Sequence, residues 1–146
     1  MVVDVIIPVY RPEREKLTKL IDWLNKQTVK PSRVFFMQTL VEKNEDEEVL
    51  QMLQKAENVE IVPIEKKDFD HGGTRNKGAA LSKADYMLFM TQDAVPVDAY
   101  LIENLVRAME EEEAATAYGR QLPDDTVGVI EHYTREFNYP AKSYVK

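Results

Sequence analysis

Four short runs rich in β-branched and aromatic residues, each followed by a stretch with helical spacing, recur along the chain. That alternation permits few folds, because strands joined by crossover helices pair in parallel and need helices on the sheet faces. The run "VVDVIIPVY" at 2–10 reads as a buried strand stopped by Pro8. Leu17, Leu20, Ile21 and Leu24 then recur at i, i+3, i+4 and i+7, which predicts a helix over 13–27 with Pro12 near its first turn and Trp23 off the apolar stripe, half exposed. A second strand is expected at 33–38, a strongly acidic helix marked by Val49, Leu50, Leu53 and Ala56, and a third strand at 59–64. A third helix over 72–84, a fourth strand over 85–91 and a fourth helix over 99–113 complete the pattern. The expectation is an α/β fold, a mainly parallel sheet flanked by helices.

Beyond the acidic run Glu110 to Glu113, most simply a solvated helix end, the pattern loosens. Ala115 to Arg120 has the composition of a further strand, and the remaining tail mixes prolines, aromatics and charges without clear periodicity. No repeat, low-complexity linker or second-domain boundary is visible, so one domain over 1–146 is expected. Its tail "REFNYPAKSYVK" has aromatic residues with nothing downstream to pack on and reads as truncated.

Composition narrows the chemistry. The chain of 146 residues is 44% hydrophobic, which suits a single buried core, and it has no cysteine, which removes disulfides, thiolate metal sites and thiol nucleophiles. A net charge of −7 argues against a nucleic-acid partner, since a phosphate backbone demands a basic surface, but leaves room for a small phosphorylated ligand. Runs such as "YMLFM" fall far short of the roughly 18 apolar residues that span a bilayer, and the start lacks the marks of a signal peptide. A cytoplasmic location is expected.

In an open parallel sheet, ligands sit beyond the carboxyl ends of the strands. Three unusual clusters fall there: "PVYRPE", "KKDFDHGGTRN" and "TQDAVP". A phosphate where Gly72 and Gly73 open the third helix would meet backbone N–H groups and the positive helix end, with Arg75 as a charged fork. The same residues also suit a plain turn and a solvated first helical turn. The lysine and hydroxyl pair of a Walker loop is missing. Asp93, emerging after an apolar strand, suits either a turn or a hard cation such as Mg²⁺ or Mn²⁺ shared with substrate phosphates, with Thr91 and Gln92 as neutral oxygens beside it.

Together and in this order, "VDVIIPVYRPE" and "FDHGGTRNKGAALSKADYMLFMTQDAVP" resemble the nucleotide-sugar half of family 2 glycosyltransferases with the GT-A (Rossmann-like) fold. "AYGRQLP" and "EFNYP" resemble the rhamnosyltransferase subgroup. The resemblance implies a dTDP- or UDP-sugar donor, a divalent cation, Mg²⁺ or Mn²⁺, bridging its phosphates, and a saccharide or lipid-linked saccharide acceptor in surface polysaccharide synthesis. It is compatible with peripheral association at the inner face of the cell membrane. It places Pro8, Val9 and Tyr10 beside base and ribose, Arg75 at the nucleotide or its phosphates and Asp93 at the metal, with Asp68, Asp70 and His71 on the same rim.

Three departures stand out. The family's D-x-D is here Thr91-Gln92-Asp93, Gln38 stands nearest the aspartate that usually ends the second strand, and no catalytic base is assigned, because the family carries it in a later section. His71 reads equally as a solvated turn residue, His132 has no evident partner, and Tyr133, Phe137 and Tyr139 suit a sugar face or plain packing. Two other readings stay open: a fragment that binds donor without transferring sugar, and a different α/β enzyme such as a nucleotidyltransferase.

Overall fold

A computed structural model describes residues 1–123, 128–139 and 141–142, apart from the side chains at 132, 133, 136 and 137. The expectations for His132, Tyr133 and Phe137 therefore lie outside the described residues. The elements run β1 (Val3–Val9), α1 (Arg14–Asn25), β2 (Arg33–Thr39), α2 (Lys43–Leu53), β3 (Val59–Ile64), a 3₁₀ turn (Lys66–Asp68), α3 (His71–Leu81), β4 (Tyr86–Phe89), α4 (Leu101–Glu111) and α5 (Val129–Asn138). Two compact units divide within α4, and the first, Met1–Glu103, holds the whole sheet.

The sheet has the order β3-β2-β1-β4 and every pairing is parallel. Successive strands β1, β2 and β3 step one way, and β4 returns to the free side of β1. The order thus reverses between β1 and β4, the position beside which open α/β sheets hold their ligands. Alternation of side chains splits the core between the two faces. On one, Ile6, Phe35, Met37 and Ile64 form a fully buried cluster against which Val62, Phe69 and Ala79 pack. On the other lie Val5, Ile7, Val34 and Phe36, also buried. The stripe of α1 is as expected, with Leu17, Leu20, Ile21 and Leu24 buried and Trp23 half-buried.

Helix α3 reaches the sheet through Gly78, where a Cβ would lie 2.6 Å from Ile6 Cγ2 and 3.3 Å from Met37 Sδ. Its far end is tied at the amino edge of the strands. There the fully buried Asp4 carboxylate accepts from Arg33 at 2.9 Å and from Ser82 Oγ at 2.7 Å, and Arg33 also donates to the Leu81 carbonyl. Ser82 thereby ends the helix ahead of the expected 84.

Other expectations are corrected. Pro8 does not stop β1, which continues to Val9. In a parallel strand the N–H and C=O of one residue face the same neighbour, and Val2 and Ile6 face β4, accepting from Tyr86 and Met90. Pro8 lies in the same phase, beyond the last β4 pairing at Ile6 and Phe89, so its missing N–H breaks no ladder bond. Ala115 to Arg120 is not a strand. Helix α5, which showed no clear period in the sequence, is present.

Candidate functional site

The carboxyl edge gathers the three clusters noted in the sequence. β1 delivers Pro8, half-buried, and Val9, whose side chain is buried, followed by an exposed Tyr10. Arg11 then takes a left-handed conformation, φ 40°, turning the chain away from the sheet, and its Nε lies 3.3 Å from Glu45 Oε1.

The Tyr10 ring stacks with Phe69 at 6.5 Å and 21°, and Phe69 meets His71 edge-on at 5.0 Å. These rings link the β1 loop to the start of α3. Phe69 was not singled out in the sequence, although an aromatic between two acids at a strand end is the available signal. The helix begins at His71, with Asp70 as N-cap accepting the Gly73 N–H at 2.6 Å. That N–H is therefore already bonded, and a Cβ on Gly73 would stand 2.7 Å from the capping oxygen. Half-buried Arg75 donates through one terminal nitrogen to the His71 carbonyl at 3.0 Å. Beside the helix start, Asp68, Gly73, Thr74 and Lys77 line an open cleft of about 280 Å³ together with Pro63, Ile64 and Glu65 at the end of β3. Thr74 and Lys77 had carried no sequence signal.

Gln38 is 4% exposed and donates its amide to the Asp46 carbonyl at 3.0 Å. The Asp46 carboxylate in turn accepts the Val41 N–H. Gln38 thus holds the β2 to α2 turn. Asp46 was hidden within an acidic run that reads as solvated surface.

At β4, Gln92 bonds both main-chain groups of Tyr10, its Oε1 accepting the N–H at 2.8 Å and its Nε2 donating to the C=O at 3.0 Å. Asp93 follows on an exposed turn, where Val95 N–H donates to the Asp93 carbonyl and Ala94 N–H to the Thr91 carbonyl. The segment beyond is anchored by buried Gln27, whose amide donates to the Asp98 carbonyl and accepts the Ile102 N–H, and by Thr28, whose N–H donates to the Ala99 carbonyl. Among the described residues no group of three or more His, Cys, Asp or Glu is arranged to hold a metal ion.

No helix among the described residues is long and apolar enough to cross a membrane. The profile of "Glycosyl transferase family 2" matches residues 4–145. An O-antigen chain rhamnosyltransferase of Salmonella typhimurium, RfbN, is 33% identical over 147 residues, covering 100% of this chain and 45% of that protein. Another from Salmonella anatum, WbaN, is 27% identical over 97% of this chain and 44% of its own length. The chain therefore spans less than half the length of these relatives. Among solved structures, S. aureus TarS residues 1–349 superposes with a TM-score of 0.60 at 20% identity, covering 85% of this chain and 39% of that one. The same protein in complex with UDP gives 0.58 at 19% identity, covering 85% and 38%. At such identity these structures show the fold.

Proposed function

The chain belongs to glycosyl transferase family 2, and from that premise we propose that it binds a nucleoside diphosphate sugar at the carboxyl edge of its sheet. The bound sugar, rhamnose on the pattern of the Salmonella relatives, passes to a saccharide or lipid-linked saccharide acceptor in surface polysaccharide synthesis, at the cytoplasmic side of the membrane. One observation carries the reading: beside β1, where the strand order reverses and open α/β sheets hold nucleotides, Tyr10 stacks on Phe69, which meets His71 at the start of α3, and bonds Gln92, the neighbour of Asp93.

In this reading the exposed Tyr10 ring, backed by Phe69, offers a flat face to the base. Arg75 has one guanidinium nitrogen on the His71 carbonyl, and its remaining donors serve the diphosphate. Because the Gly73 N–H is bonded to Asp70, the positive end of α3 and Arg75 carry more of the anion binding than that N–H does. Asp93, exposed and in no group of three or more such ligands among the described residues, would hold Mg²⁺ or Mn²⁺ with donor phosphates and water completing the shell. Such a cation, when bound, stabilises the charge that grows on the leaving diphosphate.

Calorimetry with UDP tests the site. Arg75→Ala is expected to weaken binding by about 1.5–3 kcal/mol, the worth of a charged hydrogen bond, with little change in thermal stability. Unchanged affinity refutes the site. The product separates this reading from nucleotidyl transfer, since sugar transfer releases nucleoside diphosphate and nucleotidyl transfer releases inorganic diphosphate.

A further inference from the structure

We infer that Gln92 is a positioning residue, one that fixes the base side of the donor site against its metal side. The inference rests on the donor-site reading above. Val2, just ahead of β1, and Ile6 within it turn their main-chain groups toward β4, and Tyr10 continues that phase. The last main-chain bond between the two strands is Met90 N–H to the Ile6 carbonyl. Beyond it β4 has ended, Pro8 has no N–H to give, and Tyr10 is left with a donor and an acceptor facing a missing strand. The Gln92 side chain supplies both partners, at 2.8 and 3.0 Å, and so acts as one more peptide unit of β4.

A primary amide does this with a single planar group. Its oxygen must face the N–H and its NH₂ the C=O, so the main chain dictates the orientation of the side chain. Tyr10 thus takes up one lone pair and one N–H of the Gln92 amide, and the role assigned to Gln92 is to hold Tyr10 in place. One neighbour of this clasp is Asp93, and the other is the Tyr10 ring on Phe69, with the left-handed Arg11 turn directly after it. A ligand that touches Tyr10 at its base and reaches a cation on Asp93 with its phosphates therefore spans a gap whose width the clasp sets.

The test is calorimetry of UDP with and without Mn²⁺ on the wild-type chain, Gln92→Met and Gln92→Glu, with melting temperatures alongside. Methionine keeps the length and loses both bonds, while glutamate keeps the acceptor and sets a carboxylate against the Tyr10 carbonyl. The expected result is that Mn²⁺ enhances UDP affinity in wild type and that Gln92→Met cuts this enhancement about fivefold, about 1 kcal/mol by RT ln 5, with metal-free affinity reduced less. An unchanged enhancement in Gln92→Met overturns the inference. So does an equal loss of both affinities with a lower melting temperature, which marks a structural role alone. Tighter Mn²⁺ binding by Gln92→Glu without nucleotide also overturns it, because position 92 would then face the metal. A wild-type chain that binds no UDP at any Mn²⁺ concentration overturns the donor-site reading and this inference with it.

Discussion

Two residues show how a single side chain sets the limits of the site. Gly78 lets α3 lie against the sheet, and a methyl group there would meet Ile6 Cγ2 at 2.6 Å. Alanine gains about 0.5–1 kcal/mol of helix propensity over glycine, but overpacking a close-packed interior costs about 1–3 kcal/mol. Gly78→Ala is therefore expected to lower stability by roughly 1 kcal/mol in urea denaturation, and an increase would show that Ile6 yields freely. Gln38 illustrates the opposite case, a residue legible in sequence whose role was not. It stands where an aspartate is usual in the family, but its amide is buried on the Asp46 carbonyl and holds a turn. With no carboxylate at that position to read the base, UDP and dTDP are expected to bind within about tenfold of each other, about 1.4 kcal/mol. Strong exclusion of either in a competition titration refutes this tolerance.

At the scale of elements, legibility followed period. The strands β1 and β2 and helix α1 were readable because burial on both faces, or along one stripe, leaves an unbroken sequence signature. Helix α5 was not, although Val129, Ile130, Tyr133 and Phe137 recur at helical spacing, because one short segment among prolines and charges gives too few turns to stand out. Ala115 to Arg120 misled in the other direction, since strand-like composition does not place a segment in a sheet, and this stretch lies outside the sheet β3-β2-β1-β4. The start of α3 was misplaced by a residue because the glycines drew attention away from Asp70, the true N-cap. Asp70→Ala is expected to cost about 1 kcal/mol of stability, and Asp70→Asn, which keeps an accepting oxygen, much less. Equal losses in thermal melts would mean that the carboxylate charge at the positive helix end matters more than the hydrogen bond.

For the molecule as a whole, the topology supplies a switch point at which the proposed site lies, and a few side chains set its chemistry. The β-α alternation predicted a parallel sheet but not where its strand order reverses, and the sequence had no means of showing that Gln92 would meet Tyr10, because that contact depends on β4 ending early beside a longer strand. On the proposed reading, the same geometry would make metal binding a collective property. Asp93 is exposed, and no acidic partner completes a site among the described residues, so a hard cation bound there keeps most of its water until phosphate oxygens arrive. Metal and nucleotide are then linked, and each must raise the affinity of the other by the same factor, commonly about 5–150-fold. Asp93→Asn removes the charge and keeps the shape, so it is expected to abolish this factor while leaving most of the metal-free UDP affinity. Titrating UDP at fixed Mn²⁺, and Mn²⁺ at fixed UDP, measures the factor twice. Reciprocal enhancement that persists in Asp93→Asn would move the cation to another residue, and two unequal factors in wild type would mean that the titrations report more than one site.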